Sequence, residues 1–291
     1  MSVRLRHVLR QGPVLAAMVR GSLSAVRGRR GPGATEVEAP GPWLRATVPP
    51  RDPELVADYL RHLGVDPSAY PGTVPPHLFP QWVFPLQARV LEGLPYPLHK
   101  VLNGGCRLEA RGALRLGEPL LVATRLDGID DDGRRAVLRL VARIGTHAEP
   151  DAVEAALFAV VPLRRRPNQD KGRRKEAARV SGAATELERW ELRRRAGLDF
   201  AMLTGDFNPI HWLRPYARMV GFRDVILHGF ATFGRVWEGL RRQGGGLRVL
   251  DARFTRPLEL PADVGLFVDG SRVWVGPAPG GLAYLEGTYD S

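Results

Sequence analysis

Apolar residues recur along this chain in two rhythms. A helical one runs through Leu55, Val56, Tyr59, Leu60 and Leu63 and is closed by Gly64. It opens on Asp52-Pro53, and an acidic cap before a proline at the first helical position is a start signal. A proline-rich stretch, 71–85, comes next. Three long apolar-rich runs then read as strands: 118–127, 134–145 and 153–163. The first two are joined at Asp130-Asp131-Asp132-Gly133, a hairpin signal. Alternation through Val137, Arg139, Val141 and Arg143 predicts one buried and one wet face. Residues 97–105 form a short helical candidate ahead of these strands.

The second half predicts a helical segment over 187–203 and a long helix over 227–241. Phe230, Phe233, Val236, Trp237 and Leu240 give the long helix an apolar stripe, and Gly244-Gly245-Gly246 ends it. Four strand-like runs close the chain: 247–254, 264–269, 272–275 and 282–289. Asp269-Gly270-Ser271 is a tight turn between two of them. A helix followed by antiparallel strands suggests a sheet wrapped round that helix, and the first half offers a weaker copy. The entry to its strands rhymes with the second half: Leu114-Arg115-Leu116-Gly117-Glu118-Pro119 against Leu258-Glu259-Leu260-Pro261-Ala262-Asp263.

Composition narrows the function classes. With 291 residues, 44% of them hydrophobic and 25% charged, the chain is an ordinary globular one of one large or two medium domains. Cys106 is the single cysteine, which excludes an internal disulfide framework and a cysteine-rich metal module. Nothing approaches the roughly 18–20 consecutive apolar residues of a membrane span, so no membrane crossing is expected. The net charge is +11, but residues 1–30 carry +7 and residues 164–179 carry +6, leaving the remainder at −2. Basicity confined to a tail and a connector argues against a nucleic-acid-binding fold. The expected division is a basic flexible extension, 1–45; a first folded half, 46–163; a basic linker, 164–184; and a second folded half, 185–291. A secretory signal needs a longer apolar core than 14–19 supplies, so a cytoplasmic location is expected.

The chemistry concentrates in Leu203-Thr204-Gly205-Asp206-Phe207-Asn208-Pro209-Ile210-His211, followed by Ile226-Leu227-His228-Gly229-Phe230. Pro209 fixes its own backbone and restrains Asn208, which holds Asp206 and His211 in a defined mutual geometry. A carboxylate and an imidazole together can take a proton from water and return one to carbon. Gly229 stands at the start of the apolar helix, where backbone N–H groups are unpaired and partly positive. A carbonyl oxygen turning into an enolate would be stabilised there.

This stretch resembles the hydratase motif of the MaoC-like hot-dog proteins, G-D-x-N-P-[apolar]-H. Gly205, Asp206, Asn208, Pro209, Ile210 and His211 all fit, and Ala217, Gly221, Phe222 and the Ile-Leu-His-Gly of 226–229 fit the downstream pattern. Arg253-Phe254 and Pro257-Leu258 look like the strand after the helix. The likeness is strong over about 190–268 and reaches the first half only in outline. It implies an α+β double hot dog: two antiparallel sheets, each wrapping a central helix, the first half degenerate. It also implies an (R)-specific enoyl-CoA hydratase or acyl-thioester dehydratase, with Asp206 and His211 as catalytic pair and the Gly229 N–H as oxyanion donor. Asn208 is then a positioning residue beside the substrate, and Phe230 and Phe233 are the acyl contacts. Many members carry Asp-Pro two and three residues after the catalytic histidine. This chain has Trp212-Leu213-Arg214-Pro215, and the exposed Arg214 becomes a candidate for the carrier's phosphate.

No cofactor and no metal are expected. His211 and His228 lack a third ligand at suitable spacing, and His228 reads as a structural residue at the helix start. Cys106 has nothing near it in sequence to make a thiolate. The expected partner is an acyl-CoA or acyl-carrier-protein thioester, with no nucleic acid, and the chain as a monomer or homodimer. Two other readings stay open: a hot-dog acyl thioesterase and a non-catalytic acyl-thioester-binding protein.

Overall fold

The computed structural model describes residues 3–4, 6–9, 11–12, 14, 37–163, 176–244 and 246–291. The first half runs α1 (Arg6–Leu9), β1 (Leu44–Val48), α2 (Pro53–His62), β2 (Thr73–Val74), α3 (Pro80–Leu91), β3 (Leu102–Ala110), β4 (Leu114–Arg115), β5 (Leu120–Asp131), β6 (Arg135–Gly145) and β7 (Val153–Pro162). The second runs β8 (Thr185–Leu192), α4 (Ala196–Thr204), α5 (Arg214–Met219), α6 (Gly229–Arg242), β9 (Val249–Phe254), β10 (Ala262–Asp269), β11 (Arg272–Gly276) and β12 (Leu285–Asp290).

Ten strands form one antiparallel sheet in the order β1-β5-β6-β7-β3-β9-β12-β11-β10-β8. Each half, read from its outer edge, places its first long strand, then its third, fourth, fifth and second. The two halves are therefore wound alike and meet along their second strands, where β3 pairs with β9 and Cys106 faces Ala252. β2 and β4 form a separate two-stranded ribbon. This is a double hot dog of α+β class, its two sheets fused at the seam into one.

Local chemistry explains the elements. The Asp52 carboxylate caps α2, accepting from Glu54 N at 2.8 Å and Leu55 N at 3.1 Å. In β6, Ala136, Leu138, Leu140, Ala142 and Ile144 are buried while Arg139 and Arg143 face solvent. Val137, Arg139, Val141 and Arg143, from which alternation is expected, stand two apart and so share the opposite face, where Val141 is buried as well. The main core fills the space between the sheet and the two long helices, with Phe79, Trp82, Phe233 and Trp237 among its largest enclosed side chains. A smaller cluster of Val180, Ala184, Phe267, Trp274 and Ala283 packs separately from that core.

Four sequence expectations give way here. Residues 97–105 are not the first half's central helix: they hold one turn of 3-10 helix, Leu98–Lys100, and the start of β3. The central helix is α3, inside the proline-rich stretch. Pro80 is tolerated in its first turn, and burial of Trp82, Val83 and Leu86 outweighs the backbone bond that Pro85 removes. Residues 187–203 divide into edge strand β8 and helix α4, because Trp190 and Leu192 alternate at a strand's period before the Arg193-Arg194-Arg195 run. The 1–45 extension is in part folded: β1 begins at Leu44, and Val3, His7, Gln11 and Val14 are buried. Of the 164–184 linker, residues 164–175 lie outside the described residues, whereas Val180 and Ala184 are packed in the smaller cluster. Among the described residues, no helix is long and apolar enough to cross a membrane.

A buried polar cluster ties the halves together. The Glu238 carboxylate on α6 accepts from Tyr70 Oη at 2.6 Å and pairs with His77 Nε2 at 2.8 Å and Arg241 Nε at 2.9 Å. Tyr59 on α2 joins through His77 Nδ1 at 2.8 Å. Burial pushes the Glu238 carboxyl up, but the His77 and Tyr70 hydrogen bonds and the Arg241 charge prevail and hold it at about 2.

Candidate active site

Helix α4 ends where its chain must turn sharply. Gly205 takes φ 86°, a left-handed conformation open to glycine, and donates back to Ala201 O at 2.8 Å. Asp206 follows, and its carboxylate accepts from Asn208 N at 3.3 Å. Asn208 Oδ1 accepts from Ile210 N at 3.3 Å, heading a single 3-10 turn, Pro209–His211. Trp212 Nε1 donates to Phe207 O at 3.1 Å and closes the loop on itself. A backbone bond from Ile226 N to Ile210 O, 3.1 Å, stitches it to the segment that leads into α6.

That stitch brings two imidazoles together. His211 Nδ1 donates to Ile226 O at 2.8 Å, so Nε2 carries the ring's lone pair. His228, at the N-cap position of α6, donates from Nε2 to Asp206 O at 2.9 Å, and its buried Nδ1 has no hydrogen-bond partner. The rings stack with centroids 3.5 Å apart and planes 24° from parallel. Burial lowers the basicity of both: His211 sits below its ordinary value, partly restored by the Asp206 charge and its carbonyl bond. His228 is well below, held there by burial and by His211 beside it. Both are therefore neutral near pH 7. The Asp206 carboxylate keeps about a third of its exposure, and its Oδ2 lies 3.9 Å from His228 Nε2.

Asp206, His211 and His228 each bring a potential ligand atom within 4.8 Å of the others. They suit a metal poorly. Imidazole lone pairs lie in the ring plane, and two nearly parallel rings 3.5 Å apart cannot both aim at one ion.

Gly229 is the first residue of α6. A Cβ there would lie 2.6 Å from Cε2 of Phe254, so the glycine lets that ring close over the helix start. Phe230 sits in an aromatic cluster shared by both halves, its ring 5.6 Å from Phe79, 5.5 Å from Phe84 and 6.0 Å from Phe254. Phe233 is fully enclosed.

Of the sequence candidates, Asp206 and His211 converge, together with His228, and Gly229 follows His228 directly in the chain. Asn208 turns its side chain to its own loop. Arg214, at the start of α5, pairs with Asp224 at 3.2 Å, which Arg194 also holds at 2.9 Å. Burial pushes the Cys106 thiol up, which keeps it unreactive. His228 bonds backbone from the helix start, as expected of a structural residue there, with the Asp206 carbonyl as its partner. The cover of Phe254 on Gly229 has no signal in the sequence. A cavity of about 340 Å³ opens elsewhere, lined by Arg61, His62, Arg195, Asp199 and Arg235. It holds none of the converging groups.

Residues 181–269 match the family model described as the MaoC like domain. A curated relative, 3-hydroxyacyl-thioester dehydratase X of Mycobacterium tuberculosis (strain ATCC 25618 / H37Rv), is 36% identical over 76 residues, 26% of this chain. The chain spans 27% of that relative's length in this match. The crystal structure of HtdX of Mycobacterium tuberculosis superposes with TM-score 0.68 at 20% identity, covering 85% of this chain and 99% of that one. A conserved protein of the same organism, described as having a double hotdog fold, superposes with TM-score 0.54 at 13% identity over 89% and 98% of the two chains. The strand winding and the paired central helices are those of a double hot dog, and residues 181–269 are similar to the MaoC like domain.

Proposed function

We propose that the chain is a hydro-lyase that reversibly hydrates trans-2-enoyl thioesters to (3R)-3-hydroxyacyl thioesters. The observation that carries this reading is the state of His211. Its Nδ1 proton is committed to the Ile226 carbonyl, which leaves Nε2 unprotonated beside the Asp206 carboxylate. A water held by that pair gives a proton to one of them as its oxygen bonds C3. The pair then returns a proton to C2. Between those steps the thioester oxygen carries enolate charge, and the Gly229 N–H at the start of α6 faces it. One such donor is worth about 3 kcal/mol of barrier. Phe230 and its aromatic neighbours form the wall for the acyl chain.

The named activity of the mycobacterial relative, a 3-hydroxyacyl-thioester dehydratase, is the reverse of this reaction and supports the reading. The test is loss of enoyl absorbance on crotonyl-CoA without release of thiol. Asp206→Asn and His211→Ala are expected to lower kcat by roughly 10³-fold or more with the fold intact. Full activity in either variant, or thiol release by the parent, overturns the proposal.

A further inference from the structure

The arginine-rich start of the chain does structural work at the catalytic loop. Val3, His7, Gln11 and Val14 are buried. Arg4 and Arg6 reach acids of α2: Arg4 lies 3.3 Å from Glu54 and 3.6 Å from Asp58, and Arg6 also pairs with Glu54. His7 Nε2 meets Asp58 Oδ2 at 2.9 Å, with both side chains enclosed.

Further along, the contacts reach α4. Gln11 Nε2 donates to Leu203 O at 2.9 Å, and Gln81 Nε2 donates to Gln11 Oε1 at 3.2 Å and to the same carbonyl at 3.3 Å. Leu203 is fully buried and lies in the last turn of α4, where helix carbonyls have no partner within the helix. Val14 packs on the next feature: a Cβ added to Gly205 would lie 2.9 Å from Val14 Cβ. The residue after Gly205 is Asp206.

We propose that the N-terminal segment is an internal strap, with Gln11 and Val14 as positioning residues that hold the Leu203–Gly205 turn and thereby aim the Asp206 carboxylate. Neither residue touches the reacting atoms; they act through the backbone that carries Asp206. This inference rests on the hydration reading for its kinetic consequence only, since the strap's hold on the loop is measurable without turnover.

The test uses the full chain. Gln11→Glu keeps the side chain's shape but replaces its donor with an acceptor that repels the Leu203 carbonyl, and Val14→Ala removes the contact on Gly205. Each is expected to lower kcat for crotonyl-CoA about tenfold with KM within about twofold, since small misplacement of a reacting group acts on the chemical step. Amide hydrogen exchange at residues 205–208 is expected to quicken at least about tenfold in the same variants. Gln11→Lys, which restores a donor, is expected to recover both. Unchanged exchange at 205–208 overturns the strap whether or not the parent hydrates crotonyl-CoA. A parent with no activity but with loosened exchange in the variants overturns the hydration reading and leaves the strap standing. Should Gln11→Glu fail to fold, Val14→Ala decides the same question.

Discussion

The two halves of this molecule share one winding and differ at the entry to the central helix. In the second half α6 begins at Gly229, whose N–H points out of the helix start. In the first, α3 begins at Pro80, which has no N–H to offer. The loops before them differ in kind. The stretch from β8 to α6 carries Asp206, His211 and His228 within 4.8 Å of one another. The stretch from β1 to α3 carries Tyr70 and His77, which bond Glu238 of the other half, and Tyr59, which bonds His77. The cluster of Asp206, His211 and His228 lies in the second half, and polar residues of the first half hold Glu238 of the second.

The strongest way to break that contrast is to remove the tie between the halves. Glu238→Ala leaves His77, Tyr70 and Arg241 facing a buried gap. Deleting one partner of such a buried charged pair costs about 3–5 kcal/mol. A urea titration is expected to show that loss. A loss below about 1 kcal/mol would mean that the apolar core and the β3–β9 seam alone hold the halves together. Next in size is the helix entry itself. Gly229→Ala pushes a methyl into Phe254 and displaces the donor, so kcat for enoyl hydration is expected to fall roughly 10²-fold. Pro80→Ala, at the matching position of the other half, is expected to leave kcat as it is. Equal effects from the two substitutions would erase the functional asymmetry of the halves.

How much of this was legible in the sequence follows the same division. The turn of the motif loop could be read because it is made locally: the Asp206 carboxylate and Asn208 Oδ1 accept from backbone N–H groups two residues on, the range over which sequence spacing is informative. α6 and the strands after it kept a clean period. α3 did not, since its stability comes from burying Trp82 and Val83 in a core built by distant strands, and its prolines masked it. β8 read as helix because an edge strand with one buried face is short of apolar residues. The N-terminal segment was hidden for a related reason. Its apolar and amide positions are few, and what orders them is a surface 50 to 190 residues away: Asp58, Gln81, Leu203 and Gly205.

The asymmetry also has a pH signature. His211 and His228 are held neutral by burial, below the ordinary histidine value of 6.5. In the unfolded chain both protonate near that value. Below about pH 6.5 the unfolded state therefore binds more protons than the folded one. The stability these two groups provide is full above pH 6.5 and falls progressively as the medium is acidified. Urea midpoints at pH 7.5 and pH 5.5 are expected to show this drop. His228→Asn, which cannot titrate, is expected to reduce the slope between them. An unchanged slope would mean that His228 is reached by water and carries its charge in the fold.

The smallest effect is expected at Arg214, where the chain departs from the common family pattern. Its guanidinium lies 3.2 Å from Asp224, is nearly half exposed, and shares that carboxylate with Arg194. An exposed pair of this kind contributes about 0–1 kcal/mol, and Arg194 remains to hold Asp224, so Arg214→Ala is expected to leave the urea midpoint nearly unchanged. Its value lies in what happens to KM. If the arginine serves only Asp224, KM for crotonyl-CoA and for a short thioester lacking the nucleotide stay together. If it leaves Asp224 to meet the carrier's phosphate, KM rises for the CoA ester alone, several-fold and more at low salt than at high, because the contact is a charge pair screened by ions. Asp224→Asn sharpens the result. Freeing Arg214 from its carboxylate should lower KM for the CoA ester if the arginine is a phosphate ligand, and should do nothing to it if the pair belongs to the fold.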